Sequence, residues 1–375
     1  MAKVERVLIV GGGLAGVALM IALRQRGLSA AIVERGSDRT APGTGLYLIG
    51  SATRALQALG VADDVARNGC VIRTQRLFNH RGTRLASIDA GAFWEPCGPC
   101  FGIARSDLHK LLTQQAAGSH IRLGVTVQSL RQHEDHVRVQ LSDGSCETYD
   151  LVVGADGIRS SIRQLEYGDL GVEFRGQVGW RFIVRRPPGL EGWTVFLGPQ
   201  SAFLMLPIGN ELAYCYADKA SARSIHDPAQ RSIERLRENF AAFASPIPEV
   251  LARLEPADPI HFSAIEEVAH PCYGQGRVVL IGDAAHAMSP NMACGAAMAF
   301  EDALVLAEIV SRAGAASEVV PEFVRRRSAR VGWVHQQTDR RDHLRSLPPV
   351  MRDVFVRLLS GRLYRANYRP LLALP

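Results

Sequence analysis

No apolar run in this 375-residue chain approaches the ~20 residues that a bilayer-spanning helix needs, so no transmembrane segment is expected. The N-terminus has neither a secretory nor a transit pattern, because the apolar stretch from Val7 is broken by three glycines. The cytoplasm is the expected location. Cysteine is sparse: seven residues, an odd number, without the spacing of a disulfide framework, which suits a reducing compartment. Internal repeats and low-complexity tracts are missing, which excludes solenoids and disordered linkers. No metal site is expected. The net charge is only +6. Basic residues gather toward the C-terminus at Arg325, Arg326, Arg327, Arg330, Arg340, Arg341 and Arg345. They alternate with Phe323, Val331 and Trp333, the pattern of a solvated amphipathic helix. No nucleic-acid module accompanies them, so nucleic acid is not an expected partner. Contact with a membrane surface is the lesser alternative and is not expected either.

The chain does contain two nucleotide-type signals at its two ends. Near the start, Val7–Val10 reads as a buried parallel strand, and Gly11–Gly16 matches G-x-G-x-x-G at Gly11, Gly13 and Gly16. A periodic helix runs on to about Arg26, and a second strand, Ala30–Val33, ends in Glu34. The first glycine permits the tight turn, the second lets the backbone approach a pyrophosphate, and the third lets helix and strand pack closely. A carboxylate at the position of Glu34 can accept hydrogen bonds from ribose hydroxyls. Near the other end, Val278–Ile281 reads as a buried strand ending in Gly282-Asp283. Pro290 turns the chain there, and the small residues Ala293-Cys294-Gly295-Ala296-Ala297 open a long helix. An uncrowded helix N-terminus can receive an anionic or electron-rich ligand.

Between these signals the hydrophobic period changes. A helix begins at Arg105–Leu112, with Ser106 as N-cap, and strands follow around Ile121–Leu123, Val125–Leu130, Val137–Leu141 and Cys146–Tyr149. Another strand ends in Asp156-Gly157. Trp180–Val184, Trp193–Leu197, Ala202–Leu206 and Glu211–Tyr216 then alternate like antiparallel strands. The fold class is α/β, with a nucleotide domain interrupted by a β-rich, α+β insertion and then resumed. Cys97-Gly98-Pro99-Cys100 has the spacing of a redox pair, but Pro96 precedes it and a strand-like stretch follows, so a loop is expected.

With these motifs in this order, the chain resembles the group A flavoprotein monooxygenases, the FAD-dependent aromatic hydroxylases typified by 4-hydroxybenzoate hydroxylase. Three motifs carry the resemblance: Gly11–Gly16, the Asp-Gly motif Gly154-Ala155-Asp156-Gly157-Ile158-Arg159-Ser160-Ser161, and the Gly-Asp motif Gly282-Asp283-Ala284-Ala285-His286. Gly43-Thr44-Gly45-Leu46 resembles the loop beside the flavin, Arg105 the arginine ahead of the Asp-Leu-His helix, and Glu301-Asp302-Ala303 closes the last motif. The resemblance implies a Rossmann-like FAD-binding domain over 1–70, 101–170 and 270–335. It implies a β-sheet substrate domain over 71–100 and 171–269, and a C-terminal helical segment over 336–375.

It also implies roles for individual residues. Gly11, Gly13, Leu14, Ala15 and Gly16 would surround the FAD pyrophosphate, with Glu34 and Arg35 at the adenosine end and Val127 nearby. Gly45, Arg105, Gly282 and Asp283 would meet the ribityl and phosphate part. Asp156 and Gly157 would serve both FAD and NAD(P)H. Pro290 would lie close to the reactive ring, and the helix opening at Gly295 and Ala296 would face the flavin's pyrimidine edge. Ala293 stands where many relatives have glycine and Ala297 where many have asparagine, so the contacts at that edge depart from the common pattern. The implied reaction hydroxylates an aromatic or heteroaromatic small molecule with NAD(P)H and O₂ through a flavin C4a-hydroperoxide. The FAD is non-covalent, NADH or NADPH is a transient co-substrate, and the protein is a monomer or homodimer. Gly154–Arg163, Trp180-Arg181 and Gly276–Ala303 together resemble the bacterial subgroup acting on quinolones, hydroxypyridines, salicylate-like acids and polyketide aromatics.

For the substrate itself, Arg181 could bind an acidic or carbonyl-bearing ring, or pair with a carboxylate on a strand face. Tyr214 and Tyr216 share a face and could donate to substrate or pack in the core. His286 fits a structural hydrogen bond better than a catalytic base, and Phe203 and Met205 fit core better than pocket. Two other functional classes share these signals: a flavoprotein reductase or dehydrogenase, and a non-catalytic flavin redox sensor switched by Cys97 and Cys100.

Overall fold

The computed structural model of the protein describes residues 4–37, 44–168, 170–224 and 229–375. Its organising element is a six-stranded sheet. The order is Gly274–Gln275, Val278–Leu280, Leu151–Gly154, Arg6–Val10, Ser29–Glu34 and His120–Leu123, parallel apart from the first strand. Its central strands are short continuous apolar runs because both faces are covered. The helices Leu14–Arg24 and Gly295–Arg312 pack against each other over it. The register carries the functional consequence: Val10 lies opposite Gly154, and Gly154 opposite Leu280. Three motifs far apart in sequence therefore leave the sheet side by side, from the carboxyl ends of three neighbouring strands, where open α/β sheets bind ligands.

A seven-stranded sheet stands beside it, in the order His261–Glu267, Glu173–Arg185, Leu212–Ala220, Ser201–Ile208, Trp193–Gly198, Thr74–Asn79 and Arg84–Asp89. Residues from 71–100 thus supply its last two strands, one of them parallel to Trp193–Gly198. Alternation separates its faces. Trp180, Phe182, Phe203, Met205 and Cys215 form a core with the helices Ala229–Phe240 and Ile247–Ala252. Leu206, Tyr214 and Tyr216 join the other core, shared with the six-stranded sheet. Phe203 and Met205 are therefore core residues on the face turned away from the nucleotide motifs. A small sheet, Gly45–Leu48, Cys100–Ala104 and Cys70–Ile72, packs against the seven-stranded one. Another antiparallel sheet, Val127–Gln132, Val137–Leu141 and Cys146–Tyr149, completes the β structure.

The boundary placed between 335 and 336 falls inside one helix, Val319–Ser346, which runs on until Leu347-Pro348 ends it. One expectation about the C-terminal region needs correction: the arginines of that helix are not uniformly solvated. Arg327 is fully buried, donating to Asp302 at 2.7 Å, to Glu301 at 2.9 Å and to the Met298 carbonyl at 3.2 Å. Arg330 holds both oxygens of Glu301 at 2.7 Å. Arg345 bridges Asp218 of the seven-stranded sheet to Asn291 beside Pro290. A basic run reads as a solvated face only until acids from elsewhere in the chain are folded against it.

Candidate active site

The site begins at the glycine turn. A Cβ on Gly11 would sit 2.4 Å from the Ala155 carbonyl oxygen, and one on Gly16 would sit 1.9 Å from the Gly11 carbonyl oxygen. Neither position admits a side chain, so the first and second motifs touch backbone to backbone. Gly13 differs, since a Cβ there meets nothing within 4 Å. The helix that follows at Leu14 has no side-chain cap. Its first N–H groups are therefore left for a ligand or water, the arrangement that suits a pyrophosphate. Leu14 is buried and Ala15 packs toward Gly282, where a Cβ would lie 3.1 Å from that of Ala15.

Glu34 closes the second strand. One of its oxygens accepts from the Gly12 N–H at 2.6 Å and the other from the Gly36 N–H at 2.7 Å. His109 contacts the Gly12 carbonyl at 2.7 Å, pinning the turn from the far side. Each carboxylate oxygen keeps a second lone pair, so Glu34 can order the turn and still accept a ribose hydroxyl. Arg35 is exposed just past the strand. Val127 is buried in its own sheet, two residues from Val125, whose N–H donates to the Glu34 carbonyl.

In the second motif the Asp156 carboxylate is fully engaged. It accepts from the Ser160 hydroxyl at 2.5 Å, the Ser161 N–H at 2.7 Å and hydroxyl at 2.8 Å, and the Ile162 N–H at 3.3 Å. It takes up the first two N–H groups of the helix Ser161–Tyr167, whose N-cap is Ser160. Buried Arg163 then donates to the Ala284 carbonyl at 2.7 Å and to the Ile158 carbonyl at 2.6 Å, tying the second motif to the third. Only the fold reveals that link.

The third motif is organised by Asp302, fully buried on the helix Gly295–Arg312. Its carboxylate accepts from the Gly282 N–H at 2.9 Å and from Arg327, and meets His286 Nε2 at 2.6 Å. Burial raises its pKa, but His286 and Arg327 outweigh burial and hold it below the ordinary carboxylate range. His286 thus serves as a structural hydrogen-bond partner. Asp283 is exposed, and a Cβ on Gly295 would lie 4.0 Å from its Oδ1. Gly295 and Ala296 are half-buried at an uncapped helix start, while Ala297 is buried. Pro290 is exposed at the head of the short turn Pro290–Met292. Ala293 ends that turn in the left-handed region at φ 50.

The seven-stranded sheet meets this assembly at Gly45, where a Cβ would overlap Tyr214 at 2.5 Å. Gly43 lies outside the described residues. Arg105 donates its N–H to the Thr44 carbonyl, and its exposed side chain has no ion-pair partner among the described residues. Arg181 donates to the Ser263 hydroxyl at 2.6 Å and lies 5.3 Å from the centre of the Tyr216 ring. It pairs with no carboxylate among the described residues. Burial pushes the Tyr214 hydroxyl up to about 12, with Arg181 and Arg105 pulling it back. Burial lowers His261, and both arginines lower it further. Ser263 and His261 escaped the sequence reading, because only pairing of their strand with Glu173–Arg185 brings them beside Arg181.

Cys97 and Cys100 are both buried and unbonded, behind the helix Ala90–Trp94 rather than at a helix N-terminus. Burial raises both thiols, Cys100 to about 11, opposite to what a working redox pair requires. A cavity of about 570 Å³ lies here beside Arg73, Asp89 and Cys100.

The uncapped helix at Leu14, the open space over Gly13, the lone pairs of Glu34 and the exposed Asp283 fit a dinucleotide lying across three strand ends. Comparison with known proteins agrees. Residues 5–337 match the model of the FAD binding domain family, and the chain belongs to that family, within the group A FAD-dependent aromatic hydroxylases. It is 35% identical over 340 residues to 2-heptyl-3-hydroxy-4(1H)-quinolone synthase of Pseudomonas aeruginosa, covering 88% of this chain and 87% of that one. It is 33% identical over 312 residues to aurachin C monooxygenase/isomerase of Stigmatella aurantiaca, covering 81% and 80%. Klebsiella pneumoniae HpxO complexed with FAD and uric acid shares the fold, with a TM-score of 0.85 at 22% identity, over 98% of this chain and 92% of that one.

Proposed function

We propose that the protein is an FAD-dependent monooxygenase that hydroxylates a small heteroaromatic ring carrying an acidic or carbonyl oxygen, with NAD(P)H and O₂. The carrying observation is Arg181. It is a cation without a carboxylate partner, set over Tyr216, whose buried hydroxyl also has no partner, both among the described residues. Both are groups that a ring oxygen would satisfy. The likeness to 2-heptyl-3-hydroxy-4(1H)-quinolone synthase, 35% identical, supports a heteroaromatic substrate of the 4-quinolone kind.

When bound, FAD supplies the two-electron reduction by NAD(P)H and the activation of O₂. The protein supplies the rest. Gly11 to Gly16 and the helix start at Leu14 would hold the pyrophosphate, with Glu34, Arg35 and Val127 at the adenosine end. Gly45, Arg105, Gly282 and Asp283 would hold the central part, and Asp156 and Gly157 would keep the middle strand end in place. Pro290, Gly295 and Ala296 would line the reacting end, where the helix N-terminus favours negative charge. Arg181 and Tyr214 would orient the substrate, with Ser263 fixing the guanidinium. We assign 1–70, 101–170 and 270–335 to cofactor binding, 71–100 and 171–269 to substrate binding, and the cytoplasm as the working compartment.

The test is a screen of quinolones, hydroxypyridines and hydroxybenzoates for stimulated NAD(P)H oxidation, with mass spectrometry for one added oxygen atom. Arg181→Gln should raise KM for the responding compound while leaving bound FAD unchanged. Reduction of a substrate without O₂ uptake would instead make the protein a reductase.

A further inference from the structure

The helix Pro349–Tyr368 has one face that none of the described residues covers. Its buried side is well anchored. Arg352 donates to the Gly198 carbonyl at 2.6 Å and the Leu197 carbonyl at 3.1 Å, and Trp94 donates to the Tyr364 hydroxyl at 2.8 Å. The opposite side exposes Leu347 just before the helix, then Val350 at 77%, Met351 at 61%, Val354 at 51% and Leu358 at 74%. These positions recur at three- and four-residue spacing and so form one stripe. The same stripe continues as Arg357, Arg362, Arg365 and Arg369, all exposed and none in an ion pair among the described residues. The helix has a single acid, Asp353, which is turned to Asn79 at 3.3 Å and to Arg352.

The geometry points to a docking face for an anionic lipid surface, and we propose that the protein binds such membranes peripherally through Leu347–Arg369. This reverses the expectation drawn from the sequence. That expectation weighed the arginines of Val319–Ser346, several of which are held in ion pairs. An aliphatic row beside unpaired arginines is what an in-plane interfacial helix presents: the aliphatic part enters the acyl boundary and the guanidinium groups meet phosphates. A second copy of the chain fits this face less well. Five aliphatic residues are far fewer than the roughly 20–30 per side that a stable protein interface engages, and none is an aromatic anchor. Two-fold pairing centred on the helix would also lay the arginine half of one copy over the apolar half of the other. The proposal rests on this helix face and not on the assigned reaction.

The test is co-sedimentation of the FAD-loaded full chain with phosphatidylcholine vesicles, with and without phosphatidylglycerol. Binding is expected only with the anionic vesicles, weakening about tenfold or more when salt rises to ~0.5 M, as charge screening requires. Val350→Glu with Leu358→Glu should leave the protein in the supernatant with its FAD content unchanged. Arg362→Gln with Arg365→Gln should weaken binding without disturbing the apolar row. Equal binding to uncharged vesicles, no binding to anionic ones, or full binding by the glutamate variant would overturn the proposal. So would a shift of the wild-type protein from dimer to monomer in that variant by sedimentation velocity, which would show that a second copy covers the face.

Discussion

At the scale of single residues, Asp302 holds the most consequences. One fully buried carboxylate receives the Gly282 N–H, His286 and Arg327, so it fixes the loop that presents Asp283. Removing one partner from a buried charge cluster costs about 3–5 kcal/mol. Asp302→Asn should therefore lower the melting temperature clearly and reduce the FAD retained on gel filtration, even though the residue does not reach the ligand side. Ala293 offers the opposite case. It is held at φ 50, ψ 32, a conformation that costs an alanine about 1 kcal/mol or more. Ala293→Gly should relieve that strain and stabilise the protein by up to about 1 kcal/mol in urea titration, since added chain entropy offsets part of the gain. A destabilised variant would show that the methyl group packs usefully.

At the scale of elements, the glycine turn and its helix divide into places where a side chain cannot go and a place where only a ligand would object. Gly16→Ala would drive a Cβ to 1.9 Å from the Gly11 carbonyl oxygen, so little folded protein is expected. Gly13→Ala meets open space in the same turn and starts from an ordinary φ of −73. It should fold normally and lose FAD affinity, read by flavin fluorescence titration, because the added methyl group occupies the cradle. Equal FAD affinity in Gly13→Ala and wild type would place the pyrophosphate elsewhere. These elements were legible in the sequence, since strand, glycines, helix and terminal acid are local signals. The acid cluster under Arg327 was not, because its partners come from two different helices.

At the scale of the whole molecule, buried carboxylates make stability depend on pH. Glu267, where the seven-stranded sheet approaches the third motif, is raised from 4.5 to about 7, chiefly by burial, with Arg175 only partly offsetting it. Asp342 is also raised by burial. Between those two values the folded protein keeps a proton that the unfolded chain has released. Glu267 therefore makes stability fall as pH rises from 4.5 to about 7. The Glu267→Gln variant cannot titrate, so the difference in its urea midpoint from wild type should move in its favour between about pH 5 and about pH 8. An unchanging difference would mean that Arg175 keeps Glu267 ionised throughout.

The sequence by itself determined the class of this protein. Parallel-strand runs, glycine spacing, terminal carboxylates and the change of period at Trp180 are all set by neighbours a few residues away. Backbone sterics and burial on both faces leave them little choice. Tertiary structure alone decided which side chains meet. The register of Val10, Gly154 and Leu280 brings three motifs to one edge. Strand pairing sets Ser263 and His261 beside Arg181, and packing of the C-terminal helices buries Arg327 and pairs Arg345 with Asp218 while leaving Val350 and Leu358 in the open. A charge or an apolar side chain reads the same in sequence whichever way it turns. What it does is settled by the groups that folding places against it.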